Sequence, residues 1–268
     1  MSLEVGMEGH TMYSTTLLEF ILKTTPGMAI QAANIHVVEA QFYKQKKSPR
    51  HEFLVFLVRD KTDHTLHNYV ALDRNVTITG SGGSFKLMSA SSETTSANDN
   101  FRISNNRDPE ALQQSCVQLG HTCQLIEKIT FEGYNFSLGQ LAVLASTTTR
   151  LHPHYTLDNY NCFWFASTVW DGILQLSHGL LRLQVLHPNK RGKIKNYTFE
   201  HRPQVGHVIE RYKINLQDFM TSFMLSVTEE EGEEEPLITC DTQPPCNITS
   251  RSKGKESEGV DEAGDSTE

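Results

Sequence analysis

The sequence predicts a mixed domain of strands and helices, in the α+β class. Two observations carry this. Strand-like stretches at 34–43, 51–58 and 66–73 follow one another with short polar connections. After residue 107, helical spacing with cap residues takes over. Runs of strands followed by runs of helices are the pattern of α+β domains.

Residues 1–30 show no clear period and read as a flexible N-terminal arm, with a short helix around 15–23. Residues 34–43 (NIHVVEAQFY) read as a strand, and KQKKSPR after it as an exposed turn. In 51–58 (HEFLVFLV) both faces are apolar after the first two positions, which suits a central strand covered on both sides. A third strand, 66–73 (LHNYVALD), follows the polar loop 59–65. Residues 79–107 are rich in Ser, Thr, Asn and Gly and read as a low-complexity, flexible insertion. A helix then opens with Asp108 as N-cap and Pro109 at its first position, with Gly120 past its end. Residues 123–131 form another strand. Ser137 and Gln140 have capping-box spacing, so a helix should run to about Thr149. Cys162, Phe165, Ala166, Val169 and Ile173 share one face of a further helix, capped by Asn159 or Asn161. Residues 181–186 fit strand or helix, and 215–225 have helical spacing. The domain organisation is thus an arm (1–30), a folded body (31–227) and an acidic tail (228–268) expected to be disordered.

Charge supports that division. The 268 residues carry a net charge of −8, yet residues 228–268 alone hold 13 acids and 3 bases. The body is left near neutral, with no electrostatic footprint for nucleic acid. No run of about 20 apolar residues is present, so stable membrane insertion is not expected. The first 21 residues lack a basic start and a long apolar run, which argues against a secretory signal. The five cysteines, 116, 123, 162, 240 and 246, are an odd number. Without a signal this favours reduced thiols and a cytoplasmic location.

Chemistry concentrates on Cys162, in the first turn of its helix, and His51, at the head of a buried strand. The thiolate is the nucleophile in cysteine chemistry, and helix N-termini and imidazolium groups stabilise it. A histidine on a rigid strand can take the proton and return it to a leaving group. Plainer readings stand beside these: a small core thiol for Cys162 and a strand-start polar residue for His51.

The words around these residues add to the reading. Residues 155–166 read Y-T-L-D-N-Y-N-C-F-W-F-A, and 50–58 read R-H-E-F-L-V-F-L-V. This resembles the circularly permuted papain-like thiol enzymes, the group with lecithin:retinol acyltransferase-like, PPPDE and permuted NlpC-type members. There the histidine opens a strand before the cysteine, and the cysteine follows an asparagine at a helix start. The resemblance covers residues 34–176. It implies a papain-like α+β fold in circularly permuted order, with an antiparallel sheet packed against the nucleophile helix. It also implies cleavage of amide, isopeptide or ester bonds, or acyl transfer, through a thioester. The substrate would be a protein or an acyl ester, with no cofactor and no metal.

A third polar group would orient His51. Hairpin arithmetic about a loop centre near residue 62 sets His51 opposite Asp73 and leaves His67 about 20 Å away along the sheet. A two-residue slip would put Ala71 or Asn75 opposite instead. Asp73 is therefore the expected partner, with His67 and Asn75 as alternatives. The backbone N–H of Cys162 is the expected oxyanion donor. Asn161 is either a second donor or a plain N-cap, and no counterpart of papain's glutamine stands out.

Rival readings remain. A catalytically inactive papain-like module for protein interactions would use the same scaffold. His152, His154 and Cys162 form a fragment of a metal site, but their spacing matches no standard zinc pattern. Trp164 and Trp170 suit a substrate groove or simple packing. Cys116 reads as a core thiol, and Met220 and Met224 as core or docking residues.

Overall fold

The computed structural model of the chain describes residues 11–13, 16–17, 33–47, 50–76, 95–117, 120–156, 160–194, 197–198 and 202–231. These fall in the compact unit Met1–Glu233; the other unit, Glu234–Glu268, lies outside the described residues. The fold is α+β and antiparallel.

Its strands are β1 (Thr11–Tyr13), β2 (Ile35–Gln45), β3 (Glu52–Asp60), β4 (His67–Val76), β5 (Thr95–Ile103), β6 (Cys123–Phe131), β7 (Phe136–Ser137), β8 (His154–Tyr155), β9 (Leu181–Val185), β10 (Lys193–Ile194) and β11 (Tyr197–Thr198). Its helices are α1 (Pro109–Ser115), α2 (Leu138–Leu151), α3 (Cys162–Leu176) and α4 (Arg202–Glu231). The main sheet runs β1-β5-β4-β3-β2-β6-β9, with β7 on β2 and β8 on β5; β10 and β11 form a separate hairpin.

The apolar run of β3 explains its central place. Leu54, Phe56 and Val58 face a large core shared with α2, α3 and α4. Phe53 and Val55 face the opposite side, in a smaller core with Tyr43, Ala71, Leu112 and Cys116. All five of those β3 side chains are fully buried, as expected for a strand with two apolar faces. Helix α3 is buried along nearly its whole circumference, because α2 and α4 flank it while β3 and β4 lie beneath. Both tryptophans, Trp164 and Trp170, are core residues rather than groove walls. At Gly139 an added Cβ would lie 3.1 Å from the Phe219 ring. The lack of a side chain there goes with the close approach of α4 to the start of α2.

The cap signals hold at atomic level. Asp108 accepts from the N–H groups of Glu110 and Ala111, with Pro109 beginning α1. The helix stops at Ser115, short of the Gly120 expected to close it; Gly120 does take a left-handed φ of +76°. Ser137 and Gln140 form the full capping box.

Three expectations are corrected. Residues 95–103, within the stretch read as a flexible insertion (79–107), form β5, which pairs along β4 and buries Phe101. Composition misled here because Asn, Ser and Thr in this strand serve polar pairing rather than a loop. Residues 11–13 of the supposed arm form β1 on the outer edge of β5. The expected tail start at 228 falls inside α4, which reaches Glu231. Most of the helix expected at 15–23, and residues 77–94 and 232–268, lie outside the described residues.

Two buried ion pairs brace the sheet. Lys44 and Glu52 meet across β2 and β3 at 2.6 Å. Lys44 also donates to the carbonyls of Lys190 (2.8 Å) and Lys193 (2.6 Å), and Glu52 accepts from the N–H of Gly192 at 3.0 Å. The pair thereby anchors the segment leading into β10. Burial pushes the Glu52 carboxyl up to about 7, against the opposing pull of Lys44. The second pair joins Arg74 to Asp99 through two hydrogen bonds of 2.6 Å. Its guanidinium also donates to the carbonyls of His152 (3.0 Å) and Tyr160 (3.4 Å). It lies 5.0 Å from the Trp164 ring and 4.9 Å from that of Phe165. One side chain thus ties the β4–β5 pair to both ends of the connection that leads into α3.

Candidate active site

Cys162 is the first residue of α3. The side chain of Asn161 caps the helix by accepting from the Trp164 N–H at 3.1 Å. Of the two roles considered for Asn161, its side-chain oxygen therefore fills the N-cap. The cap leaves the Cys162 N–H at the open end of the helix, where partial positive charge collects.

His51 is delivered by a tight reversal between β2 and β3. Arg50 takes a left-handed φ of 58°, its N–H bonds to the Lys47 carbonyl at 2.8 Å, and the His51 carbonyl accepts from Gln45 at 2.8 Å. The ring stacks on Phe53 at 5.9 Å. Cys162 and Asp73 are the charged groups that act on it most strongly. The Asp73 contact, Nε2 to Oδ2, is 3.5 Å, the outer edge of hydrogen-bonding range.

Asp73 is fully buried. Arg102 on β5 donates to it from Nε (3.2 Å) and Nη2 (3.4 Å), and the Asn75 side-chain amide donates to the same carboxylate. The expected register is corrected by two residues: Phe53, not His51, stands opposite Asp73. The β3–β4 turn is centred later than assumed, because Asp60 and Asp63 each fold back on their own loop and set Arg59 opposite His67. Asp73 then reaches His51 diagonally on the same face, within the range of cross-strand neighbours. Asn75 joins the cluster through Asp73. His67 does not: it is at the far end of β4, partly exposed, with Nδ1 3.1 Å from the Thr65 carbonyl.

Two neighbours were given no role in the sequence reading. Arg102 lies in the stretch read as an insertion; the alternation of Phe101 and Ile103 around it was the available strand signal. Burial, and then negative charge at Cys162, raise the pKa of Tyr155 on β8. It sits in the same short word as Cys162, but nothing in the spacing marks it.

The electrostatics are those of a charged cluster cut off from water. Burial alone would lower the His51 pKa. Negative charge at Cys162 and the Asp73 carboxylate outweigh it and hold the ring protonated up to about 10. Burial would raise Asp73, but His51 and Arg102 prevail and keep it below the ordinary carboxylate value. By contrast, burial pushes the Cys116 thiol well up; it is a core residue, as expected. No family model, curated protein or solved structure matches the chain. Function therefore rests on this cluster.

Other candidates are placed elsewhere. His152 stacks on Tyr160 at 3.8 Å and meets the edge of Trp164. His154 is exposed on β8. Among the described residues no group of three His, Cys, Asp or Glu side chains is arranged to hold a metal ion. None of the described helices is long and apolar enough to cross a membrane. Met220 and Met224 are exposed on α4.

Asp73→Asn provides a test of the charge balance. Asn keeps the shape but leaves Arg102 and His51 without their carboxylate, at an expected stability cost of about 2 kcal/mol in urea unfolding. The pH dependence has a definite sign. A carboxylate with a lowered folded pKa stabilises above about 4 and loses that contribution as pH falls through its folded value. The wild type should lose stability more steeply than Asp73→Asn on acidification. Parallel acid limbs in the two proteins would show that Asp73 is not held as a paired carboxylate.

Proposed function

We propose that this chain is a cysteine-dependent hydrolase of peptide or isopeptide bonds, or an acyltransferase, of the circularly permuted papain-like type. What supports the reading is the buried His51 ring, 3.5 Å from the buried carboxylate of Asp73 and acted on most strongly by the charge of Cys162 at a helix N-terminus. The order of His51, just ahead of β3, and Cys162, opening α3, supports the permuted assignment.

Cys162 Sγ attacks the substrate carbonyl carbon, and the carbonyl π electrons move onto oxygen. The thiol proton resides on His51, stabilised by Asp73. Collapse of the tetrahedral intermediate expels the amine or alcohol, which takes that proton from the imidazolium. A thioester remains on Cys162. Water, or an acceptor nucleophile, then attacks it with His51 as base, and the thiol is restored. Peptide and isopeptide bonds are the leading substrate class, and none of the described helices is long and apolar enough to cross a membrane. The substrate is a protein or acyl ester and the site of action cytoplasmic.

A second reading, a non-catalytic interaction module, is favoured by one observation: Cys162 is only 5% exposed. An activated acetyl ester separates the two. With p-nitrophenyl acetate, peptide-resolved mass spectrometry should find one acetyl group on Cys162 of the wild type and none at that position in Cys162→Ser. Absence of the adduct from wild type that binds a protein partner would establish the module instead.

A further inference from the structure

We propose that this chain forms a symmetric dimer through β9, whose outer edge pairs antiparallel with β9 of a second copy about a two-fold axis at Leu183.

β9 closes one end of the main sheet. β6 holds one side of it, and among the described residues no strand pairs with the other. Such an edge offers a row of backbone N–H and C=O groups to any strand that can lie beside it. Natural edges are blunted by proline, lysine or bulges. β9 (L-R-L-Q-V) has neither proline nor lysine. Its register on β6 runs without a bulge from Phe131 opposite Leu181 to Glu127 opposite Val185. Its one charge, Arg182, lies 3.8 Å from Glu132 of the same chain. Both ends of the strand are fixed. The Leu180 N–H bonds to the Ser177 carbonyl at 2.9 Å, and the N–H groups of Leu186 and His187 bond to the Ile126 carbonyl at 3.0 and 3.1 Å. Pairing with another strand therefore orders little new backbone.

The side chains at this edge are apolar. Among the described residues seven large apolar side chains are exposed, and four of them, Leu180, Leu183, Val185 and Leu186, fall within residues 180–186. Leu181 and Phe131 pack on the main core. Directly paired residues share a face, so Leu183 and Val185 carry that apolar face past its covered margin.

The order of residues names the partner. Residues 180–186 read L-L-R-L-Q-V-L, with the same apolar pattern in both directions from Leu183. In a two-fold antiparallel pair one residue stands opposite its own copy and the rest pair reciprocally. With Leu183 in that place, Leu181 meets Val185 of the second copy, Leu180 meets Leu186, and Arg182 meets Gln184. Apolar side chains meet apolar ones, and no like charges face each other. A centre one residue earlier would set two Arg182 guanidinium groups opposite one another, and a centre one residue later would set Arg182 against Leu186. β6 and β2 separate β9 from β3 and β4, so the two copies meet away from His51 and Asp73.

Sedimentation velocity on the full chain over a concentration series, with Leu183→Lys and Leu183→Glu, tests this. The wild type should show a reversible monomer–dimer equilibrium. Each variant alone should weaken it at least about 10-fold, because each dimer loses two facing leucines and sets two like charges opposite. Mixed in equal amounts, the two variants should recover the dimer, since opposite charges then face each other at the self-paired position. A wild type that stays monomeric up to about 100 μM, weaker than the micromolar range of specific interfaces, overturns the proposal, whether the edge is left bare or is covered by residues 232–268 of the same chain. A dimer that survives in both variants overturns it too, by placing the contact elsewhere. Dimers lost in both variants and not restored by mixing overturn the two-fold pairing at Leu183. Circular dichroism checks that each variant is folded. Should either fail to fold, Gln184→Arg replaces it: guanidinium groups then face each other at two places, and the dimer should weaken by a similar factor.

Discussion

Replacing His51 with alanine should slow alkylation of Cys162 by iodoacetamide about 100-fold at pH 7, the lower end of what positioned acid–base groups contribute. The reagent reacts with thiolate, and His51 is the cationic neighbour that stabilises it in a site closed to water. The effect should depend on pH in a definite direction. His51 stays protonated up to about 10 in the wild type, so its positive charge persists through neutral and mildly alkaline pH. A thiol without a cation beside it ionises near 8.5. The variant should therefore recover as pH rises, and the gap should narrow above about pH 9 by that same ionisation. The linked stability has the opposite sense to that of Asp73. A histidine with a raised folded pKa contributes fully below 6.5 and loses its contribution as pH rises through about 10. Peptide mapping keeps Cys162 distinct from Cys240 and Cys246 of the tail. A His51→Ala protein that labels Cys162 at the wild-type rate at pH 7 would remove His51 from the mechanism.

The largest stability loss should come from Arg74→Ala. Arg74 is 1% exposed and its partner Asp99 is equally buried. Truncation strands the Asp99 carboxylate in a low-dielectric interior, frees two backbone carbonyls and removes the cation lying against Trp164 and Phe165. Breaking a buried pair from one side costs about 3–5 kcal/mol, a large part of the stability of a typical domain. Asp99 is already pushed up by burial, with Arg74 pulling it back; without Arg74 it should take up a proton on folding. Arg74→Ala should then be more damaged at pH 8 than at pH 5. Arg74→Lys keeps the charge but not the two-pronged geometry or the planar stacking, and should fall between. Removing both partners, as in Arg74→Met with Asp99→Leu, should cost less than Arg74→Ala alone. Urea unfolding followed by circular dichroism measures all three. A loss below about 1 kcal/mol for Arg74→Ala, the range of exposed pairs, would show that the pair is not sealed from water. The same substitution should also disturb the approach to Cys162, since Arg74 holds both ends of the 152–160 connection.

Much of this was legible in the chain because local chemistry decides it. The two-faced apolar run of 51–58 could only be an interior strand. Ser137 with Gln140, Asp108 with Pro109, and Asn161 ahead of Cys162 each satisfy backbone donors within a few residues, so their helix starts are written locally. The pairing of β3 with β4 was visible; its register was not. Two aspartates folding back on their own loop moved the turn, and a two-residue shift keeps every side chain on its original face. Asp73 therefore remained on the His51 side although the residue opposite it changed.

Only tertiary structure could decide what joins these elements. β5 is polar because its partners are polar: Asp99 meets Arg74 and Arg102 meets Asp73, each from another strand. Composition sees such residues as solvent-loving, whereas the fold buries them as neutralised pairs. Tyr155 is held beside β5 by a two-residue strand, too short to leave a periodic signal. The nucleophile, its histidine and the carboxylate are separated by up to 111 residues of chain. Their meeting depends on sheet order and helix packing, which are global properties.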